Sequence, residues 1–339
     1  MKNRYRNIFL VFGVVVIVAM LFSFEMDYHM LWENVKKASG WFPAVLLLWV
    51  FIYLLNALSW YLIIKNGRKK CEVSFWRVYK LTITGFALNY ATPVGLMGGE
   101  PYRIMELTPY VGVSRATSSV ILYVMTHIFS HFCFWLFSIC LYIVFVPLNL
   151  FMGGLLALVG AFCLLAIYFF MKGYRSGMAV KTLKICCKIP FLKKWSIRFY
   201  SKHEADLQNV DEQIADLHKQ NKSTFITSLF LEFSSRIVGC LEVFFILSVL
   251  TTNVSFVDCI LILAFTSLFA NLFFFSPMQL GAREGGFAIS TGGLAIQSAF
   301  GVYMGLITRI RELVWIIIGI LLMKVGNSSK DKIKPLKKK

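Results

Sequence analysis

Long apolar stretches alternate with short polar stretches along most of this chain. Several of the apolar stretches are long enough to cross a membrane, which takes about 20 residues of α-helix. They lie at residues 7–24, 42–64, 116–146, 150–171, 224–250 and 301–323. The pattern predicts an all-α polytopic membrane protein with about six full spans.

Two further apolar segments, at about 80–113 and 257–299, are interrupted near the middle by related phrases. The phrases are PVGLMGGE, beginning at Pro93, and PMQLGARE, beginning at Pro277, and they share Pro, Leu and Glu at equal spacing. A helix breaker, glycines and a carboxylate persist at membrane depth only where the backbone faces protein or a water-filled cavity. Matching interruptions in two halves of a transporter indicate a substrate site between the halves.

Basic residues gather at the ends of the apolar segments, as the positive-inside rule expects of cytoplasmic loops. The loop after the second span, the start of an insertion at 172–222 and the tail at 324–339 are rich in Lys and Arg. We therefore expect both termini and the insertion to be cytoplasmic. Residues 207–217 carry apolar side chains at helical spacing, which predicts a surface helix within the insertion.

Counting membrane crossings predicts how the two halves are oriented. If both interrupted segments crossed fully, the second half could not be superposed on the first in the opposite orientation. If each is a re-entrant hairpin, the first enters from the cytoplasm and the second from outside, and 1–146 and 150–323 become inverted repeats. For the segment 258–276 the alternative of a full crossing stays open, because this segment is long enough to cross the membrane completely.

Composition narrows the class of protein further. The chain of 339 residues is 58% hydrophobic, which excludes a soluble domain with a single core. Its net charge of +18 comes from loops beside apolar segments, which argues against nucleic-acid binding. The eight cysteines form no Cys-x-x-Cys pair, so neither a disulfide frame nor a metal site is expected. No P-loop, dinucleotide fingerprint or nucleophile elbow is present, and we expect no cofactor.

Ionisable residues inside apolar segments are the main candidates for function, because each costs about 2.5 to 3.5 kcal/mol at the membrane centre. The broken helix ends carry partial positive charge and, with nearby arginines, could hold a phosphate. The expected substrate-binding residues are Asn89, Pro93, Gly98, Gly99, Glu100, Arg103, Asn271, Pro277, Gly281, Arg283, Glu284, Arg309 and Arg311.

Structural roles compete with these assignments. Glycines also allow close packing of transmembrane helices. Glu232 and Arg236 are four residues apart and could simply pair. Arg309 and Arg311 are two residues apart and face different ways, so that one could face the cavity while the other pairs with Glu312. His127 and His131 have a spacing compatible with a metal or a proton relay, but a packed core pair is the favoured interpretation.

With one phrase in each interrupted segment, the chain resembles the lysylphosphatidylglycerol synthase transmembrane-region family of flippase-like membrane proteins. The resemblance rests on Asn89 and the phrase from Pro93 with Arg103, and on the phrase from Pro277 with the glycines after it. Relatives include the flippase half of the multiple peptide resistance factor, in which a soluble aminoacyl transferase domain follows the membrane part. Here a lysine tail follows, so the resemblance implies transport without the synthetic activity.

The expected function is translocation of an anionic lipid, or of a lipid-linked or polyprenyl-linked envelope intermediate, across a bacterial cytoplasmic membrane. In that mechanism Arg103, Arg283 and one of Arg309 or Arg311 hold the phosphate. Glu100 and Glu284 take up protons or bind a cationic substituent. Two alternatives stay open. One is a non-transporting subunit that recruits a glycosyltransferase or lipid synthase through its insertion, and the other is a membrane-embedded transferase acting on a lipid phosphate.

Overall fold

The computed structural model describes residues 40–65, 73–91, 98–176, 208, 211–212, 222–251, 253–273, 279 and 281–324. Apart from single helical residues of the insertion, the described residues form nine α-helices. These are α1 (Phe42–Lys65), α2 (Phe75–Ala91), α3 (Gly99–Val111), α4 (Val113–Phe145), α5 (Leu150–Ser176), α6 (Lys222–Ser248), α7 (Phe256–Leu272), α8 (Ala282–Gly293) and α9 (Ser298–Lys324). The predicted span 7–24, the tail and most of the insertion lie outside the described residues.

The all-α prediction is confirmed for the described part of the chain. In that part, α1, α4 and the segment Leu150–Lys172 of α5 are long and apolar enough to cross a membrane. Helices α6 and α9 have 27 residues each, and both carry several ionisable side chains near their centres. Those side chains are buried between helices, which is where intramembrane charges are tolerated.

Each interrupted segment forms two short antiparallel helices. Helices α2 and α3 have 17 and 13 residues, and α7 and α8 have 17 and 12. None of these four reaches the about 20 residues that a full crossing needs. The breaks themselves, with Pro93 and Pro277, lie outside the described residues.

The first hairpin is closed by an approach of two backbones. A Cβ added to Gly99 would lie 2.1 Å from the carbonyl oxygen of Gly85, so α3 can lie against α2 only without that side chain. In the second hairpin Gly286 approaches the backbone of Thr266 less tightly, at 3.2 Å from such a Cβ. These glycines thus have the close-packing role that the sequence left open for them.

Helices α1 and α6 lie antiparallel at the centre of the bundle and pack extensively. The Ser59 hydroxyl is 2.6 Å from that of Ser228 near one end, and the Trp49 indole N–H donates to Glu242 nearer the other. Helix α2 packs against α9, and α7 packs against α4. Helix α5 packs against α4 and leaves most of its large apolar side chains on the outside of the bundle.

Candidate functional site

Buried polar side chains gather in three neighbouring clusters inside the bundle. We call them the first-hairpin cluster, the second-hairpin cluster and the α4–α6 cluster. The first contains Asn89, Glu100 and Arg103; the second contains Glu242, Gln279, Arg283, Glu284, Arg309, Arg311 and Glu312; the third contains His127, Ser130, Glu232 and Arg236.

In the first-hairpin cluster, Asn89 ties the end of α2 to the start of α3. Its Nδ2 donates to Glu100 Oε1 at 2.9 Å, and its Oδ1 accepts from the Gly99 amide at 2.6 Å. The asparagine thereby satisfies one of the free amides at the helix start. It also holds Glu100 at the hairpin tip, 3.7 Å from Arg103 Nη1.

Arg103 is enclosed within the first hairpin, with 1% of its surface exposed. Its guanidinium donates to the carbonyl of Thr82 at 3.3 Å and lies 5.0 to 5.5 Å from the ring centroids of Trp60, Phe86 and Tyr123. A side chain at Gly85 would occupy the same space, because its Cβ would lie 2.1 Å from Arg103 Nε. The structure therefore places Arg103 among aromatic rings rather than at the open tip.

In the second-hairpin cluster, Arg309 of α9 binds residues at the start of α8. Its Nε donates to Glu284 at 2.7 Å, its Nη2 to the carbonyl of Gln279 at 2.9 Å and its Nη1 to Glu312 at 3.1 Å. Glu284 also accepts from the amide of Gly281, which has φ 76°, a conformation that favours glycine. One arginine thus connects α9 to Gln279 and to the first turn of α8.

Arg283 joins the two hairpin tips. It pairs with Glu312, and its Nη2 donates to the Gln279 side chain at 3.4 Å. Its guanidinium carbon lies 5.9 Å from the ring centroid of Tyr90, at the end of α2. The tips of the two interrupted segments therefore meet at the Tyr90–Arg283 contact.

Arg311 binds a different helix from Arg309, but both guanidiniums also lie near Glu312, at 3.8 and 3.1 Å, so pairing with Glu312 does not separate the two arginines as the sequence suggested. Arg311 forms a two-point pair with Glu242 of α6, at 2.9 and 3.2 Å. Its guanidinium carbon lies 3.8 Å from the ring centroid of Trp49, whose indole N–H donates to Glu242. Through Glu242 and Trp49, Arg311 thus ties α9 to the α1–α6 pair.

In the α4–α6 cluster, Glu232 and Arg236 each bind α4. Glu232 Oε2 lies 2.7 Å from His127 Nδ1, while Arg236 donates to Ser130 Oγ at 2.8 Å and to the His127 carbonyl at 2.7 Å. The pairing of Glu232 with Arg236 that the sequence allowed is replaced by contacts between helices. Sequence reasoning missed the His127–Glu232 pair, because no spacing rule relates residues 105 positions apart.

A family model described as the lysylphosphatidylglycerol synthase TM region matches residues 10–319. The chain belongs to the lysylphosphatidylglycerol synthase TM-region family. Comparison with curated proteins and with solved structures gives no match. The family match spans both interrupted segments and all three clusters, and it identifies a membrane protein of the lysylphosphatidylglycerol synthase and flippase type.

The clusters of this lysylphosphatidylglycerol synthase TM-region protein balance positive and negative charge. Taken together they contain five arginines and five glutamates: Arg103, Arg236, Arg283, Arg309 and Arg311 with Glu100, Glu232, Glu242, Glu284 and Glu312. An anion that enters must therefore open an existing ion pair, or be accompanied by a positive charge. Such compensation keeps the cost of burying these groups in a membrane low.

The other predicted residues of this family member lie close to the hairpin breaks. Gly98 is partly buried just before α3, and Gly281 just precedes α8. Asn271 donates to the Ser267 carbonyl in its own helix, at 2.7 Å, and does not match the bridging role of Asn89. The two hairpins are therefore similar in outline but use different side chains to hold their tips.

The described residues contain no group of three or more His, Cys, Asp or Glu side chains that could hold a metal ion. The rings of His127 and His131 contact each other edge to face, with centroids 5.5 Å apart. Five described cysteines are free thiols, namely Cys133, Cys140, Cys163, Cys240 and Cys259. The chemistry that these clusters offer is therefore ion pairing, hydrogen bonding and proton binding.

Proposed function

We propose that this protein translocates an anionic lipid, or a lipid-linked envelope intermediate, across a bacterial cytoplasmic membrane. The observation that carries the proposal is the meeting of the two hairpin tips at Tyr90 and Arg283, beside the ion pairs of Arg309. Broken helices that meet in the middle of a bundle are where secondary transporters bind their substrates. The family assignment agrees with this function.

We further propose that 1–146 and 150–323 are inverted repeats, each with a re-entrant hairpin, and that both termini are cytoplasmic. The packing supports this, because exchanging α1–α4 with α6–α9 converts the α2–α9 contact into the α7–α4 contact. The α1–α2, α2–α3 and α3–α4 contacts likewise correspond to α6–α7, α7–α8 and α8–α9. At 17 residues, α7 is short for a complete crossing, which favours the re-entrant arrangement for 258–276.

In the proposed mechanism the head-group phosphate binds Arg283 and Arg309 at the second hairpin. These two guanidiniums already share Glu312 and Gln279 as partners, so they lie close enough to bind one anion together. The phosphate takes the place of Glu312, and each guanidinium can hold phosphate oxygens in a two-point fashion. The acyl chains remain in the surrounding lipid.

The carboxylates of the hairpins complete the proposed site. Glu284 and Glu100 stand at equivalent positions at the starts of α8 and α3. Each can bind a cationic substituent on the head group. Arg103, which is enclosed among aromatic rings, then pairs with Glu100 and has no direct contact with the phosphate.

The test is leaflet exchange in vesicles that contain the purified protein. Three fluorescent lipids are compared, namely phosphatidylglycerol, phosphatidylcholine and a neutral glycolipid, each against protein-free vesicles. We expect protein-dependent exchange that is fastest for phosphatidylglycerol. Exchange at the protein-free rate for all three lipids would contradict translocation. It would favour the alternative hypothesis of a non-transporting subunit that recruits a transferase partner.

A further inference from the structure

The α4–α6 cluster contains a buried acid paired with a titratable base. Glu232 has no exposed surface, and its Oε2 lies 2.7 Å from His127 Nδ1. Its second oxygen, Oε1, has no hydrogen-bond partner among the described residues. A carboxylate that is buried and only half satisfied is costly, so its partner must help to neutralise it.

Several charged and titratable groups lie around this pair. They are Arg236 from α6, Tyr123 and His131 from α4, Arg103 and Glu100 from α3, and Tyr90 from α2. The two arginines offset Glu100 and Glu232, so the set is neutral when the His127 imidazole is neutral. Protonation of His127 gives the set one net positive charge.

That change in charge links the proton to the substrate. A cluster that gains a positive charge attracts an anion more strongly, and a bound anion strengthens proton binding by the same factor. The α4–α6 cluster can act on the first hairpin because the His127 ring centroid lies 5.7 Å from that of Phe86, whose ring centroid lies 5.0 Å from the Arg103 guanidinium carbon. Arg103 in turn lies 3.7 Å from Glu100 at the start of α3. The phosphate and the proton are thus expected to favour each other.

We propose that the protein binds one proton together with the lipid phosphate, and that the His127–Glu232 pair is the proton site. This proposal rests on the proposed translocation function. In the step, the lone pair of His127 Nε2 forms an N–H bond with a proton of hydronium, which becomes water, while the hydrogen bond between Nδ1 and Glu232 is kept. The reverse step returns the proton to water after the lipid has left.

The exposure of the two partners fits their roles. The His127 side chain is 27% exposed and the Glu232 side chain is fully buried, so the imidazole is the member that can exchange a proton. Glu284, by contrast, forms an ion pair with Arg309. A guanidinium stays protonated in proteins, so this ion pair favours the ionised carboxylate and opposes proton uptake by Glu284. Histidine is also the side chain whose unperturbed pKa places its change of charge between about pH 5 and pH 8.

The experiment measures binding of short-chain phosphatidylglycerol to the purified protein across that pH range. The wild-type protein should bind more tightly at low pH, by about 5- to 150-fold, which is the usual range of coupling between two sites. His127→Gln should bind weakly at every pH, and His127→Arg, which carries a permanent charge, should bind tightly at every pH. Glu232→Gln should also lose the pH dependence.

The matched control is His131→Gln, which removes a histidine one helical turn away that has no carboxylate partner among the described residues. It should keep the wild-type pH dependence. Wild-type pH dependence in His127→Gln would overturn the proposal. A folded His127→Arg protein that binds as weakly as His127→Gln would overturn it too.

Leaflet exchange separates this proposal from the proposed function. If the wild-type protein exchanges lipid but its binding does not depend on pH, the proton site is wrong and translocation stands. If binding depends on pH through His127 and no exchange occurs, the proton site stands and translocation is wrong.

Discussion

At the scale of single residues, Glu312 organises the second-hairpin cluster. It pairs with Arg283, accepts from Arg309 at 3.1 Å and lies 3.8 Å from Arg311. One carboxylate thus holds three guanidiniums that would otherwise repel each other in a medium of low dielectric constant. An incoming phosphate can fill the same place because it too presents several acceptor oxygens.

This arrangement predicts how Arg283 variants bind lipid. Arg283→Lys should weaken binding of phosphatidylglycerol, because an ammonium is a point charge and cannot hold two oxygens in the planar geometry of a guanidinium. Arg283→Ala should weaken it more, by about 10- to 100-fold, since a charge-assisted hydrogen bond contributes roughly 1.5 to 3 kcal/mol. Native mass spectrometry with anionic, zwitterionic and neutral lipids measures the effect.

The control for these variants is Arg77→Ala, which removes an arginine that stacks on Tyr110 outside the clusters. It should leave lipid preference unchanged. If Arg283→Ala keeps the wild-type preference for anionic lipids, Arg283 is only a structural partner of Glu312, and the phosphate site must be sought elsewhere.

The sequence indicates which ionisable residues are buried but not which residues they pair with. Glu284, Arg309 and Glu312 stand out because each interrupts an apolar stretch. Their partners depend on how the helices are packed, and helix periodicity gives only the face on which a side chain lies. The His127–Glu232 pair between α4 and α6 could not be predicted for the same reason.

At the scale of elements, the first hairpin depends on two glycines that let α2 and α3 touch. Gly99→Ala should destabilise the protein by about 1 to 3 kcal/mol, the usual cost of overpacking, because its Cβ would lie 2.1 Å from the Gly85 carbonyl oxygen. Thermal unfolding in detergent measures the effect. The matched control is Gly154→Ala in α5, where an added Cβ meets nothing within 4 Å. Equal melting temperatures for the two variants would contradict the account of the hairpin.

The extents of the helices follow closely from the sequence. Helix α1 covers Phe42–Lys65, against the predicted 42–64, and α9 covers Ser298–Lys324, against 301–323. Helix α4 begins at Val113, three residues before the predicted span, because polar residues at its start extend the helix beyond its apolar part. Apolar length predicts where a helix crosses the hydrocarbon, and helices often continue past that limit.

At the scale of the whole molecule, the proposed inverted arrangement predicts which loops face outward. Cysteines introduced at Asn149 and Asn253, in a cysteine-free background, should react with an impermeant reagent added outside intact cells. Cysteines at Lys70 and Gln208 should react only after the cells are opened. Reaction of the Gln208 position from outside would show that the orientation of the halves is wrong.

The loop charges predict the parity of the crossings, because the positive-inside rule acts on each short loop independently, and the labelling experiment tests that prediction. The packing of α2 on α9 and of α7 on α4 could not be predicted, since it depends on which surfaces fit together in three dimensions. The matched phrases at Pro93 and Pro277 were the signal that related the two halves.

The central claim is that the site between the hairpins moves lipid, and its most direct test is leaflet exchange with a single altered carboxylate. Glu284→Gln keeps the shape of the side chain but cannot form the ion pair with Arg309. Its control is Glu106→Gln, which alters a carboxylate of α3 that forms no ion pair among the described residues. The account predicts phosphatidylglycerol exchange at the protein-free rate for Glu284→Gln and at the wild-type rate for Glu106→Gln. Wild-type exchange by a folded Glu284→Gln protein would contradict it.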